Sequence, residues 1–197
     1  KKYEIILVTS GAVSAGYSAL KLNKDDHLNK RILASIGQPI LMSSYKRKFD
    51  IYDIDTSQIL LTEEDLKCDR NKNIFVEMIN ITLKNNIVPI INENDISSMP
   101  EHLFGDNDQL SAHITQHTSA DLLVLLSDVD GYYDDNPNIN PNAKLKKIVN
   151  KVSKEEIKKD VTPNYQFATG GIVTKLKSAK YLLKNNKKMF LCSGFDL

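Results

Sequence analysis

Short runs of apolar and β-branched residues alternate along this chain with longer stretches in which apolar positions return every three or four residues. The first pattern predicts buried strands and the second predicts helices. Glu4-Ile5-Ile6-Leu7-Val8-Thr9 is a strand on this reading, cut off by Ser10-Gly11. Helical spacing of small and apolar residues follows from Ala12 to about Leu20. A second helix is expected from His27 to Phe49, kinked or split in two by Pro39, which lacks a backbone donor. Asp53 to Leu61 predicts a strand, and Asn71 to Lys84 an amphipathic helix with Ile74, Met78 and Ile81 on one face. Ile87-Val88-Pro89-Ile90-Ile91 reads as a strand in which Pro89 is awkward for a central ladder position.

A polar loop is expected from Asn92 to about Gly105, longer than most connections in compact domains. Asp108 to His117 predicts a helix and Ala120 to Ser127 the most apolar strand. Turn-rich pieces follow at Asp130-Gly131 and from Asn136-Pro137 to Pro141-Asn142. A short helix is placed at Glu155 to Lys159. Thr169-Gly170-Gly171 precedes a helix to about Leu183, whose buried stripe is read as Ile172, Leu176, Ala179 and Leu183, and Met189 to Cys192 closes as a strand. Strand and helix in alternation predict an α/β fold, a mostly parallel central sheet covered on both faces. With no internal repeat and no low-complexity linker, one domain is the expected count. Ligands of such sheets sit beyond the carboxyl ends of strands, which points to Ser10-Gly11, Asn92 to Asp95 and Ser127-Asp128.

Composition narrows the class without naming a function. The 197 residues are 41% hydrophobic and 26% charged, enough to bury a core. No run of eighteen apolar residues predicts a membrane span. A net charge of +1 excludes nucleic-acid binding by charge alone. Cys68 and Cys192 fit no zinc or redox spacing and read as reduced, cytosolic thiols. The near-neutral total conceals blocks: residues 1–49 carry net +6, residues 50–135 net −14 and residues 144–188 net +10. Such opposed fields suit either a site where an anionic cofactor meets a polar loop, or simply solvated helix faces.

Three segments have the composition of a site. Val8-Thr9-Ser10-Gly11-Ala12 is strand, turn and helix start, where Gly11 admits close approach of a ligand and free N–H groups suit an anion; many such turns need glycine only to turn. Asn92-Glu93-Asn94-Asp95 and Gly105-Asp106-Asn107-Asp108 hold more polar side chains than turns require. They suit a ligand bearing an ammonium and a carboxylate, or form an acidic surface loop; the twelve-residue calcium-loop spacing is not met. Ala168-Thr169-Gly170-Gly171-Ile172-Val173-Thr174-Lys175 sets glycines and a lysine at a helix entrance, either a phosphate cradle or a helix capped by Thr169 with a surface lysine; it is not a P-loop. His113 and His117, four apart on a helix, are read as a packed or solvated pair rather than metal ligands.

Taken in order, Val8 to Ala12, Gly37-Gln38, Gln58 to Thr62, Ile91 to Asp95, Gly105 to Ala112 and Ala168 to Lys175 resemble the amino acid kinase family. Within it, the pairing of Asn-Glu-Asn-Asp with Gly-Asp-Asn-Asp resembles the branch that phosphorylates glutamate rather than carbamate, aspartate, N-acetylglutamate or uridylate. The resemblance implies a three-layer αβα sandwich with a mostly parallel central sheet. It implies transfer of a phosphoryl group from ATP to the side-chain carboxylate of L-glutamate, as the first step of proline biosynthesis. It further implies that Ser10, Asn92, Asp95 and Asn107 bind glutamate. Ser127, Asp128, Thr169, Gly170, Gly171, Ile172, Val173, Thr174 and Lys175 would hold ATP. Asp108 would orient catalytic lysines, Lys175 would stabilise the transferring phosphoryl, and the Gly11 N–H would assist. Mg2+ would arrive with the nucleotide, with no dedicated metal ligands in the chain. The implied protein is cytoplasmic and homo-oligomeric, inhibited by proline, with no membrane or nucleic-acid partner. A non-catalytic amino-acid or nucleotide sensor, or a kinase for another small carboxylic acid, is the alternative. Family members carry a Lys-x-Gly strand and a helix ahead of the strand that starts here at Glu4, so these residues are expected to be part of a longer chain, and the end at Gly194 to Leu197 is read as abrupt.

Overall fold

A computed structural model describes residues 3–98, 106–135, 140–158 and 171–195. The chain forms two compact units, Lys1–Asn107 and Asp108–Leu197. The first contains β1 (Leu7–Val8), α1 (Ala12–Ala19), α2 (His27–Asp50), β2 (Thr56–Leu61), α3 (Glu63–Lys67), α4 (Asp69–Lys84) and β3 (Val88–Glu93). Helix α5 (Asn107–His117) begins on the last residue of that unit, and β4 (Leu122–Ser127), α6 (Lys154–Lys158), α7 (Ile172–Lys184) and β5 (Lys188–Ser193) complete the second. The described strands pair in two parallel sheets, ordered β1-β3-β2 and β4-β5. The alternation read from the sequence therefore becomes an α/β fold in which the described strands pair in parallel, with one antiparallel bridge, Tyr133 to Leu145, outside them.

Pro89 sits in the central strand, and the register explains why it can. Val88 N donates to the Asp55 carbonyl on the β2 side, and the Ile91 carbonyl accepts from Thr9 N on the β1 side. Successive residues of a parallel strand face opposite neighbours, so Pro89 turns its missing donor toward β1. The β1 ladder opens only at Leu7, opposite Ile90. The six-residue strand expected from Glu4 shrinks accordingly to two paired residues, and Tyr3 and Ile5 stand exposed.

Helix α2 is not split: it runs unbroken through Pro39 over 24 residues, started by Asp26, whose carboxylate accepts from Asn29 N. It is held against α1 by two glycines. A Cβ on Gly37 would fall 1.8 Å from the Ala12 carbonyl oxygen, and one on Gly16 would fall 1.9 Å from that of Leu33. The contact is backbone against backbone, and it fixes the position of α1's first turn.

On α4 the buried face is one residue round from the expected stripe. Phe75 and Ile79 are buried, whereas Ile74, Met78 and Ile81 are about half exposed. The apolar arc is wider than the core needs, and the core takes the side carrying the largest ring. Helix α3, absent from the sequence reading, is closed by a capping box in which Thr62 and Asp65 satisfy each other's backbone N–H. Both helix-to-strand connections α4–β3 and α7–β5 turn on Asn-Asn pairs, with Asn86 and Asn186 at φ 59 and 54, a region asparagine tolerates.

In the second unit Ala112, Leu123, Leu125 and Leu182 form the core, flanked by Tyr181, Met189 and Leu191. The β4 strand buries only alternate residues: Leu122, Val124 and Leu126 on its other face are about half exposed. The stripe expected on α7 is corrected in the same way. Leu176, Ser178 and Leu182 are the buried positions, while Ile172, Ala179 and Leu183 are only partly covered. Among the described residues no helix is long and apolar enough to cross a membrane.

Candidate active site

In the first unit, β1 ends at Val8, and Thr9-Ser10-Gly11 leads the chain into α1. Gly11 caps that helix at φ 104, ψ 4, in the left-handed region where a side chain would be strained, and makes no side-chain cap. The N–H groups of the first turn of α1 thus have no capping side chain, while Ser10 is exposed at the strand's end. Thr9 itself is buried, its hydroxyl 2.7 Å from that of Tyr45 on α2.

Beside this turn, β3 delivers Asn92 and Glu93, both buried, followed by Asn94 and Asp95. Asn94 N donates to the Leu61 carbonyl and Ser98 N to the Asn94 carbonyl, which folds the start of the loop back on itself. Burial raises the Asp95 pKa above the ordinary aspartate value, and the positive charge of Lys30 opposes the shift in part. Asn107 joins the cluster from the first residue of α5. Its Nδ2 donates to the Thr9 carbonyl at 2.6 Å and to Asn92 Oδ1 at 3.0 Å. Its Oδ1 is buried and has no hydrogen-bond partner among the described residues. Asn92 and Asn107, separated by 15 positions in sequence, therefore meet. Asp95 shares a small cleft with Ala12, Gln38 and Asn94. The cluster holds a carboxylate, a buried amide oxygen without a partner among the described residues and helix N–H groups, a donor and acceptor set matched to an amino acid.

In the second unit Asp108 is the residue next after Asn107. Lys175 Nζ lies 3.0 Å from Asp108 Oδ2, and the Thr174 hydroxyl donates to the same oxygen at 2.9 Å. Both charged side chains are largely buried, at 11% and 15% exposure. The reading of Lys175 as a surface lysine is thereby excluded. The N-cap of α7 is Gly171, and capping by Thr169 falls on a residue outside those described. The same Thr174 hydroxyl lies 2.8 Å from the Gly171 carbonyl, so its one proton is shared between two acceptors. Thr169 and Gly170 lie outside the described residues.

A groove of about 670 Å³ runs along α7 from this pair. Its walls include Ile172, Leu176 and Tyr132, and Lys146, Lys147 and Lys175 give it a positive rim. The volume lies within the range of small-molecule sites, roughly 300–1,000 Å³. Tyr132 is braced behind the groove. Its hydroxyl donates to Glu156 Oε1 at 3.0 Å, Lys146 Nζ donates to the same oxygen at 2.9 Å, and Ser153 N donates to Oε2 at 2.8 Å. The Ser153 backbone bond and the Lys146 ammonium hold the Glu156 pKa at about 2. Beyond the end of β4, Ser127 Oγ donates to Asp128 Oδ1 at 3.0 Å, and the Ser127 carbonyl accepts from Gly194 N.

His113 and His117 are a packed pair: the ring of His113 lies 4.2 Å from that of Tyr181. Sequence reasoning named Thr9 only as part of the segment Val8 to Ala12, and missed Tyr45 and the role of Gln38. Only the stretch Gly37-Gln38 signalled the last, as part of the family resemblance, with no chemistry attached to it.

The sequence matches the model of the amino acid kinase family over residues 1–193. It is 46% identical to a glutamate 5-kinase of Leishmania donovani, an alignment covering 100% of this chain and 74% of that protein. A glutamate 5-kinase of Wolinella succinogenes is also 46% identical, over 98% of this chain and 76% of its own length, and one of Helicobacter hepaticus is 42% identical over 100% and 74%. Among solved structures an isopentenyl phosphate kinase superposes with a TM-score of 0.56, covering 90% of this chain and 70% of that one; at 15% identity the likeness is one of fold.

Proposed function

The chain belongs to the amino acid kinase family, and from that premise we propose that it is a glutamate 5-kinase, transferring the γ-phosphoryl of ATP to the side-chain carboxylate of L-glutamate on the route to proline. The observation that carries the reading is the pair Asn107-Asp108. One residue closes a cluster fitted to an amino acid, and the next holds the lysine at the entrance of α7. The names of relatives at 38–46% identity over nearly the whole chain supply the acceptor.

In this mechanism Asp95 takes the substrate ammonium, together with the Asn107 oxygen. The hydroxyl of Ser10 and the N–H groups at Gly11 receive carboxylate oxygens. The groove along α7 takes the nucleotide, its apolar walls the base and its lysines the phosphates. Ser127, Asp128 and the segment Gly171 to Lys175 contribute at that end, and Thr169 and Gly170 are assigned to it by resemblance. ATP supplies the phosphoryl group: a carboxylate oxygen attacks the γ-phosphorus and the bond to the β-phosphate oxygen breaks. Such transfers need alignment and charge neutralisation more than covalent help. Lys175 supplies the charge, and Asp108, bonded to both Lys175 and Thr174, sets its position. Mg2+ would arrive with the nucleotide and would offset part of the phosphate charge. On the same reading the protein is a cytoplasmic homo-oligomer with proline as an inhibitor.

The test is ADP release with L-glutamate, L-aspartate, N-acetyl-L-glutamate and carbamate as acceptors. Glutamate should be preferred by kcat/KM. Preference for any other acceptor overturns the assignment.

A further inference from the structure

Four carboxamides of the first unit are joined end to end. Asn107 Nδ2 donates to Asn92 Oδ1 at 3.0 Å, Asn92 Nδ2 to Gln38 Oε1 at 2.9 Å, and Gln38 Nε2 to Gln58 Oε1 at 2.9 Å. The string crosses α5, β3, α2 and β2, and Asn92 and Gln38 are buried at 2% and 7% exposure.

A carboxamide can be turned either way, but here backbone groups fix the direction. The N–H of Glu93 can only donate, so the Asn92 atom 2.9 Å from it is oxygen. The carbonyl of Thr9 can only accept, so the Asn107 atom 2.6 Å from it is nitrogen. Asn92 must then turn its NH2 to Gln38, which answers with oxygen and passes its own NH2 to Gln58. The last consequence is at the near end: the Asn107 oxygen is left buried and without a partner among the described residues. A buried acceptor in that condition is unfavourable until a ligand brings a donor.

We infer that Gln38 and Gln58 are positioning residues of the acceptor subsite: they lock Asn92, and through it Asn107, so that the Asn107 oxygen faces the protonated amine of the substrate. The inference rests on the proposed glutamate kinase activity and assigns substrate discrimination to two side chains that need not touch the substrate. Without an oxygen at position 38 the Asn92 NH2 has no acceptor. Asn92 is then free to rotate, and its NH2 would meet two donors, the Glu93 N–H and the Asn107 NH2.

Three variants of the protein test this: Gln38→Met, Gln38→Glu and Gln58→Met. Glutamate at position 38 still offers oxygen to Asn92, and the exposed Gln58 can flip to give it an NH2. Gln38→Met should raise the KM for glutamate by about tenfold or more with the KM for ATP nearly unchanged, Gln58→Met should do so more weakly, and Gln38→Glu should stay within about threefold of the parent. Inhibition by glutarate, which lacks the amine, should be the same in the parent and in Gln38→Met. The inference is overturned if Gln38→Glu is as impaired as Gln38→Met, if both KM values rise together, or if glutarate weakens in step with glutamate. Should Gln38→Met fail to fold, an unchanged glutamate KM in Gln58→Met is the overturning result. Turnover of glutamate by the parent protein is a separate readout. If it is missing, the same comparison made on calorimetric glutamate affinities still decides the relay, and absence of glutamate binding overturns both.

Discussion

Replacing Lys175 by methionine separates its two roles. The ammonium lies 3.0 Å from a largely buried carboxylate. Its removal leaves Asp108 with the Thr174 hydroxyl on the same oxygen and no cation at that contact. Breaking a fully buried pair costs about 3–5 kcal/mol. With 11% and 15% of the side chains still reached by water, about 2 kcal/mol of stability is the expected loss. The catalytic role is larger. A unit charge about 4 Å from charge developing on the phosphoryl oxygens, at an effective dielectric near 20, is worth about 4 kcal/mol. Part of that is already felt by the bound nucleotide, so the differential effect matches the loss of one oxyanion contact, on the order of a hundred- to a thousandfold in kcat.

Steady-state ADP release measures kcat and both KM values, and urea denaturation measures stability. The double variant Lys175→Met/Asp108→Asn removes the carboxylate charge that faced the ammonium and should recover part of the lost stability with no gain in turnover. If turnover returned together with stability, or if Lys175→Met lost less than about tenfold, the lysine would be a structural partner of Asp108 and the mechanism would fail.

Two further substitutions probe the acceptor side. Gly37→Ala drives a Cβ to within 1.8 Å of the Ala12 carbonyl and 2.4 Å of Gly16 N, backbone atoms that cannot rotate aside; a loss of about 1–3 kcal/mol in urea denaturation is expected, and an unchanged midpoint would contradict the helix contact. Asp95→Asn should weaken glutamate binding and stabilise the fold near neutral pH. Because burial raises the Asp95 pKa above that of an ordinary aspartate, the folded state holds that proton to higher pH than the unfolded chain does, so stability falls as pH rises between the two values. The gain in the asparagine variant should therefore narrow from pH 7 toward pH 4, and a gain that grew on acidification would refute the assignment of burial as the cause.

Much of this arrangement could be read from the sequence, because the informative residues are also the ones with strong local signatures. Gly11 after a β-branched run gave the strand, turn and helix order. What could not be read were quantities that depend on neighbours. Pro89 looked misplaced until the register turned its missing donor away from β2. The stripe of Ile74, Met78 and Ile81 competed with that of Phe75 and Ile79, and only packing decides between two apolar arcs on one helix. The site residues followed from resemblance to a family, which names side chains without their partners. That Thr174 and Lys175 share one oxygen of Asp108, and that Asn92 leans on Gln38, are long-range facts with no local imprint.

None of the four amides strung from Asn107 to Gln58 can take up or release a proton over the range where proteins stay folded. Acidification therefore leaves that scaffold's wiring intact, whatever it does to the carboxylates beside it. A change of pH can thus alter affinity for the amino acid through charge alone, without loosening the frame that holds it.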